Sequence, residues 1–303
     1  MENTTNPFAK LYGYQKDAVT ATLYNQRGII CLPTGTGKTF AQAAMLANDI
    51  LMNPDQFRMY VVNAPRILLT YQLLKEVFGF LSKLGIDARY MFVHSGSGAS
   101  NSEINELRKL AEVEGHNIPF SEIPSGTSPD AIREMMTKAK NLEMPLILFS
   151  TYHSANHIET ARKSFKTPIS MALNDEAHYL VQEKFHDILT TLTTPRCYFF
   201  TATRKHTPSD KGRGMNNTEL YGEVLYDMKP IEAIALGKMV RPRLHFVRTA
   251  GVYTSDDYDR SLNLIIQDTF IQHTEVLVKT KQNPKILVSA KGSQDIRSFL
   301  KSD

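Results

Sequence analysis

Apolar residues along the chain gather in short unbroken runs rather than in strict alternation with polar ones. Runs at residues 28–32, 59–63, 88–93, 145–150, 170–174 and 197–201 are mostly Val, Ile, Leu, Phe and Tyr. A strand covered on one face alternates, whereas a strand covered on both does not. These six runs therefore read as buried strands. Between them lie stretches of helical period, such as 38–52, which ends at Asn53-Pro54, and 67–84, which ends near Gly85. Another helix is predicted to begin with Ser128 as its cap and Pro129 at its first position. Strands alternating with helices predict an α/β fold: a mostly parallel sheet with helices on both faces.

Some stretches break this rhythm. Residues 95–102 and 114–129 are rich in Gly, Ser and Pro and read as loops flanking a short helix. Residues 204–218 are polar, basic and glycine-containing, and read as a mobile loop. After about Val240 the character changes. Residues 241–248 read as a strand or linker, and 256–281 as one long helix with Tyr258, Leu262, Ile265, Ile266 and Phe270 on one face. A strand at 285–290 and a helix start at 293–301 follow. The expectation is a first domain over residues 1–240. Over 241–303 a linker should lead into the opening segment of a second, incomplete α/β domain.

Composition narrows the setting. The formal charge of +4 permits a nucleic-acid partner without requiring one. Cys31 and Cys197 both fall in apolar runs, as inert core thiols in a reducing compartment would. No run of 18 or more apolar residues appears, and the first residues lack a basic stretch followed by an apolar one. The expectation is a cytoplasmic protein with no membrane partner.

The sharpest local signal is Leu32-Pro33-Thr34-Gly35-Thr36-Gly37-Lys38-Thr39, between a predicted strand and a predicted helix. Gly35 and Gly37 let the backbone curl so that successive N–H groups, with Thr34 and Thr36 in the same turn, converge on phosphate oxygens. The start of the next helix adds its positive dipole end. Lys38 would reach the β- and γ-phosphates of ATP, and the Thr39 hydroxyl would ligate Mg²⁺. Leu32 stands where the general pattern has glycine.

Asp175 and Glu176 follow the run at 170–174, at the strand end where α/β sheets collect ligand chemistry. Asp175 can hold Mg²⁺, and Glu176 can polarise an attacking water. Alone, such a pair is as well read as a solvated turn; the phosphate loop upstream decides against that. Thr201-Ala202-Thr203 ends another strand and suits a hydrogen-bond relay, with an ordinary strand end as the alternative. His178 sits where it can link Glu176 to Thr201 or Thr203, unless it is a satisfied structural histidine. His153 and His157 lie four apart, but no third metal ligand is evident. The basic loop Arg204–Arg213 reads as solvated, with a nucleic-acid backbone contact as its alternative.

Taken together and in this order, these motifs resemble the first RecA-like domain of superfamily 2 DEAH-type helicases and translocases. Restriction-enzyme motor subunits and phage DNA helicases are the most similar subgroup. The resemblance spans nearly the whole chain. Leu11-Tyr12-Gly13-Tyr14-Gln15 is similar to the family's adenine-reading segment, so Gln15 would bond the adenine edge, although Tyr12-Gly13 stands where the family often has Arg-Pro. Residues 61–66 and Ser150-Thr151-Tyr152 are similar to its strand-contacting motifs, which implies that Arg66 and Thr151 grip one strand's phosphates. Residues 221–237 look like the segment closing domain one, and 285–290 like the opening strand of domain two. The family's later motifs, including its arginine finger, have no counterpart before Asp303.

The resemblance implies an ATP-dependent DNA motor, DNA being favoured over RNA, with another chain or segment supplying the second RecA-like domain. The arginine finger is worth on the order of 10³–10⁵ in rate, so slow hydrolysis is expected of these 303 residues alone. An ATP-gated nucleic-acid adaptor that does not translocate is the alternative. A small-molecule kinase has no need of the Thr201–Thr203 relay.

Overall fold

The computed structural model describes residues 6–54, 56–96, 120, 122–165, 167–192 and 194–242. Seven strands form one sheet: β1 (Arg27–Cys31), β2 (Met59–Ala64), β3 (Arg89–Val93), β4 (Leu146–Thr151), β5 (Met171–Asn174), β6 (Cys197–Thr201) and β7 (Glu223–Asp227). Their order is β3-β4-β2-β5-β6-β1-β7, and every pairing is parallel. From β1 the chain crosses past β6 and β5 to β2 and on to β3, then turns back through β4, β5 and β6 to β7, so the neighbours β1 and β6 send their outgoing connections in opposite directions. In such sheets ligands sit where the connections diverge in this way, outside the carboxyl ends of the strands.

The apolar runs are explained by cover on both faces. Successive residues of a strand point to opposite sides. Ile30, Val62, Phe149, Leu173 and Phe200 enter one core, with α1 (Gly13–Leu23), α2 (Lys38–Leu51) and α3 (Ile67–Ser82). Ile29, Val61, Leu148, Ala172 and Phe199 enter the other, with α4 (Pro129–Asn141) and α5 (Ala155–Phe165). All six predicted strands are present, each displaced by no more than one residue at either end. The helix after Gly37 and the helix capped by Ser128, with Pro129 first, are also where the pattern puts them.

Two readings need amending. The seventh strand, β7, lies in a stretch the hydrophobic pattern left without a strand. It is an edge strand whose residues are half-buried or exposed, so it carries no apolar run. Residues 204–218, read as a mobile loop, are instead knitted together by side-chain bonds. Thr207 donates its N–H to Asn216 Oδ1, Asn216 Nδ2 donates back to Thr207 O, and buried Met215 ties the loop to the α4–α5 side of the core.

The chain divides between Arg241 and Pro242. The predicted long helix, the strand at 285–290 and the final helix lie outside the described residues, as do most of the stretches around 95–102 and 114–119. Among the described residues no helix is long and apolar enough to cross a membrane.

Candidate active site

The phosphate-type loop joins β1 to α2. Gly35 and Gly37 take φ of +84° and +79°, a region that side chains with a Cβ rarely enter. The loop is held from α1. Tyr14 donates its hydroxyl to Thr36 O at 2.8 Å, and Gln15 Nε2 donates to Thr36 O at 2.9 Å and Gly37 O at 3.2 Å. Gln15 Oε1 accepts from Tyr12 N–H. The amide expected to read adenine is thus spent on the loop itself. A Cβ on Gly37 would fall 2.5 Å from Gln15 Nε2, so glycine is required there for space as well as for φ. Thr34 and Gly35 are exposed at the tip, Thr36 is buried and bonds Pro33 O, and Thr39 is half-buried at the start of α2.

Across from the loop, β5 ends at Asn174 and Asp175 continues its ladder by donating to Asn63 O. Burial, then the neighbouring Glu176 charge, pushes the Asp175 carboxyl up to about 6. Lys38, the Gln42 amide and the Glu176 N–H oppose that rise. Tyr152 donates its hydroxyl to the Asp175 carbonyl at 2.6 Å. Glu176 takes φ +49° and ψ +46°, an uncommon conformation for a residue with a Cβ. That turn brings its Oε1 to 3.2 Å from Lys38 Nζ.

Beyond Glu176 runs a polar chain. His178 Nδ1 lies 3.4 Å from Glu176 Oε2 and 3.1 Å from Thr201 Oγ1. Thr201 spends its single proton on Thr203 O at 2.8 Å. It can therefore only accept from His178, which puts the imidazole proton on Nδ1. Burial lowers the His178 pKa, against the opposing charge of Glu176. Lys38, Glu176, His178, Thr201 and Thr203 thus form one connected path from the loop to the end of β6. A cleft of about 480 Å³ opens over the loop, Asp175 and Glu176, walled on the far side by Leu69, Gln72, Leu73 and Glu76 of α3. That volume is within the usual range for a small-molecule site.

Residues 8–206 match the model of the family described as type III restriction enzyme, res subunit. The chain belongs to that family. Two solved structures share the fold of this res-subunit relative. The ATP-dependent type ISP restriction-modification enzyme LlaBIII bound to DNA is 22% identical, with a TM-score of 0.58 over 75% of this chain and 15% of its own. A nuclease-deletion mutant of the type ISP enzyme LlaGI, in complex with a DNA substrate mimic, gives 22% and 0.58 over 75% of this chain and 18% of its own. The chain thus spans less than a fifth of those proteins' length. No curated protein sequence matches it.

The res-subunit chain also brings together the two residues assigned to strand contact. Ala64 and Thr151 are register partners at the ends of β2 and β4, and Arg66 follows two residues after Ala64. They differ in access. Arg66 is exposed at the cap of α3, whereas Thr151 is buried with its hydroxyl on Ser154 Oγ. Three residues were given no role of their own in the sequence reading: Tyr14 and Tyr152, which stood inside quoted motifs, and Gln42. Each acts through a bond to a distant backbone or carboxylate, which no local motif encodes. The one available signal was Gln42 itself, a polar residue in an otherwise apolar turn of α2.

Proposed function

We propose that this chain forms the ATP-binding and ATP-hydrolysing part of a DNA motor. The carrying observation is the 3.2 Å pair of Lys38 and Glu176 at the head of the path to Thr203. One lysine and one carboxylate pair at the mouth of the loop. Phosphate oxygens in the loop compete for Lys38, and its departure frees Glu176 to polarise water. His178, already between Glu176 and Thr201, carries that change to the end of β6.

The donors present suit Mg²⁺: the Thr39 hydroxyl and the Asp175 carboxylate are hard oxygen ligands, and such sites use one or two carboxylates with substrate phosphates. Bound there, the cation supplies neutralisation of charge on the transferring phosphoryl group. Among the described residues no group of three or more His, Cys, Asp or Glu forms a metal cluster of its own. Adenine recognition by Gln15 requires its amide to exchange at least one loop bond for the base. Arg66 offers an exposed guanidinium to a phosphate backbone, with Thr151 beside it, and such contacts position a strand without reading sequence. A second RecA-like domain, on the same polypeptide or another, would close the cleft. DNA is preferred to RNA on the strength of the family.

The test is steady-state ATP hydrolysis with Mg²⁺, with and without single- and double-stranded DNA and with RNA, on the chain and its Glu176→Gln variant. Slow turnover, raised by DNA and lowered by at least about 100-fold in Glu176→Gln, is the expected result. Turnover indifferent to Glu176→Gln would sink the assignment. ATP binding with no hydrolysis even when a second RecA-like domain is supplied would favour the adaptor.

A further inference from the structure

We propose that Gln42 is a positioning residue of the cation site, holding the Asp175 carboxylate in the orientation that a nucleotide-bound divalent cation requires. The inference rests on the ATP–Mg²⁺ reading above.

Gln42 lies one turn beyond Lys38 on α2 and has no exposed surface. Its neighbours Ala41, Ala43, Ala44, Leu46 and Ala47 are equally buried and wholly apolar. Gln42 Nε2 donates to Asp175 Oδ1 at 2.8 Å, joining two elements 133 residues apart. Its Oε1 is buried with no hydrogen-bond partner. Buried polar atoms without partners are uncommon and each asks for a reason. A carboxylate accepts and does not donate, so the amide must turn Nε2 towards Asp175 and leave Oε1 stranded. A methionine of the same length would fill the space with no stranded acceptor. The single thing it could not do is donate to Asp175.

Asp175 relies on that side-chain donor, because Lys38, the cation whose charge reaches it, pairs with Glu176, and its other hydrogen bond comes from the Glu176 N–H. A hydrogen bond on one oxygen fixes the plane of the carboxylate and still leaves lone pairs for a metal. Partners that orient ligands in this way commonly change metal affinity 10- to 100-fold when removed.

The experiment uses Mn²⁺ as the probe, followed by electron paramagnetic resonance with ADP present, on the full 303-residue chain. Gln42→Met should weaken Mn²⁺ binding about 10-fold and alter the bound Mn²⁺ spectrum, with ADP affinity in EDTA unchanged. Gln42→Leu is the second variant should the first not fold. In the unsubstituted chain, the Gln42 side-chain amide resonance should shift when Mg²⁺ and ADP are added together, and not with ADP alone. Unchanged Mn²⁺ affinity in a folded variant, or an unmoved amide resonance, overturns the proposal. Asp175→Ala separates the two levels. If it abolishes Mn²⁺ binding while Gln42→Met leaves it intact, only the role of Gln42 fails. If Asp175→Ala also leaves it intact, the cation site itself has been misassigned.

Discussion

Asp49 and Asp175 are two carboxylates with nearly the same burial, 6% and 7% exposed, and α2 reaches both. Asp49 belongs to the last turns of that helix, at the amino-terminal edge of the sheet. There it meets Arg196 Nη2 at 2.5 Å, as an ion pair rather than an aligned hydrogen bond, Arg58 Nη1 at 3.5 Å and the Tyr60 hydroxyl at 2.7 Å. Asp175, at the carboxyl edge, receives the Gln42 amide and the Glu176 N–H, while the nearby Lys38 is paired with Glu176. The first carboxylate has its charge compensated within the fold. The second has its charge left partly uncompensated, and its carboxyl is pushed up to about 6. Equal burial therefore gives opposite outcomes: one end of the sheet is closed by its ions, and the other is short of a positive charge that a ligand can bring.

Breaking that contrast from the closed side should have the largest effect. Asp49→Ala would leave Arg58 and Arg196 without their carboxylate, and removing one partner of a buried pair is strongly destabilising. Because both arginines are partly exposed, a loss of about 3 kcal/mol is expected in denaturant unfolding. A loss below about 1 kcal/mol would mean that the cluster is not what secures this edge.

The open side should respond in the opposite direction. A carboxyl raised from 3.8 to about 6 binds its proton more tightly in the folded chain than in the unfolded one. Stability is then fully present below pH 4 and is lost as pH rises through about 6. Asp175→Asn removes that penalty, so it should stabilise the chain by about 2 kcal/mol at pH 8 and by almost nothing near pH 4. Thermal unfolding across that pH range checks it. Destabilisation at pH 8 would show that the charge is already compensated.

The smallest effect sharpens the contrast at the loop. Tyr14→Phe removes one of three bonds that hold Thr36 and Gly37 from α1. A typical hydrogen bond contributes about 1 kcal/mol to stability, so unfolding should lose about that much and nucleotide affinity should fall by up to roughly 5-fold. A loss of stability with unchanged affinity would make Tyr14 a core residue only.

The difference between the two ends also marks what the amino-acid pattern can carry. The six buried strands and the loop Gly35–Thr39 were legible because burial on two faces and a tight phosphate turn each leave a contiguous imprint. Asp175 and Glu176 were legible as a pair, but their unequal environments were not, since Gln42 and Lys38 arrive from a helix far away in sequence. Gln15 was found, yet its engagement with Thr36 and Gly37 was not, because an amide gives no sign of which partner it has taken. Strand β7 and the loop around Thr207 and Asn216 went unread for a related reason. One is an edge without an apolar run, and the other is organised by side-chain bonds that follow no period.

The strand order has a consequence for synthesis. The neighbours of β1 in the sheet are β6 and β7, which the ribosome makes long after it. By contrast β2, β3 and β4 can pair among themselves as soon as Leu146–Thr151 has emerged. At about 5–20 residues per second, the strand bearing the phosphate loop waits on the order of ten seconds for its first lateral partner. The nascent chain can thus begin its sheet at β2, β3 and β4, and the ladder that flanks the loop after β1 can close only once Cys197–Thr201 is free of the exit tunnel.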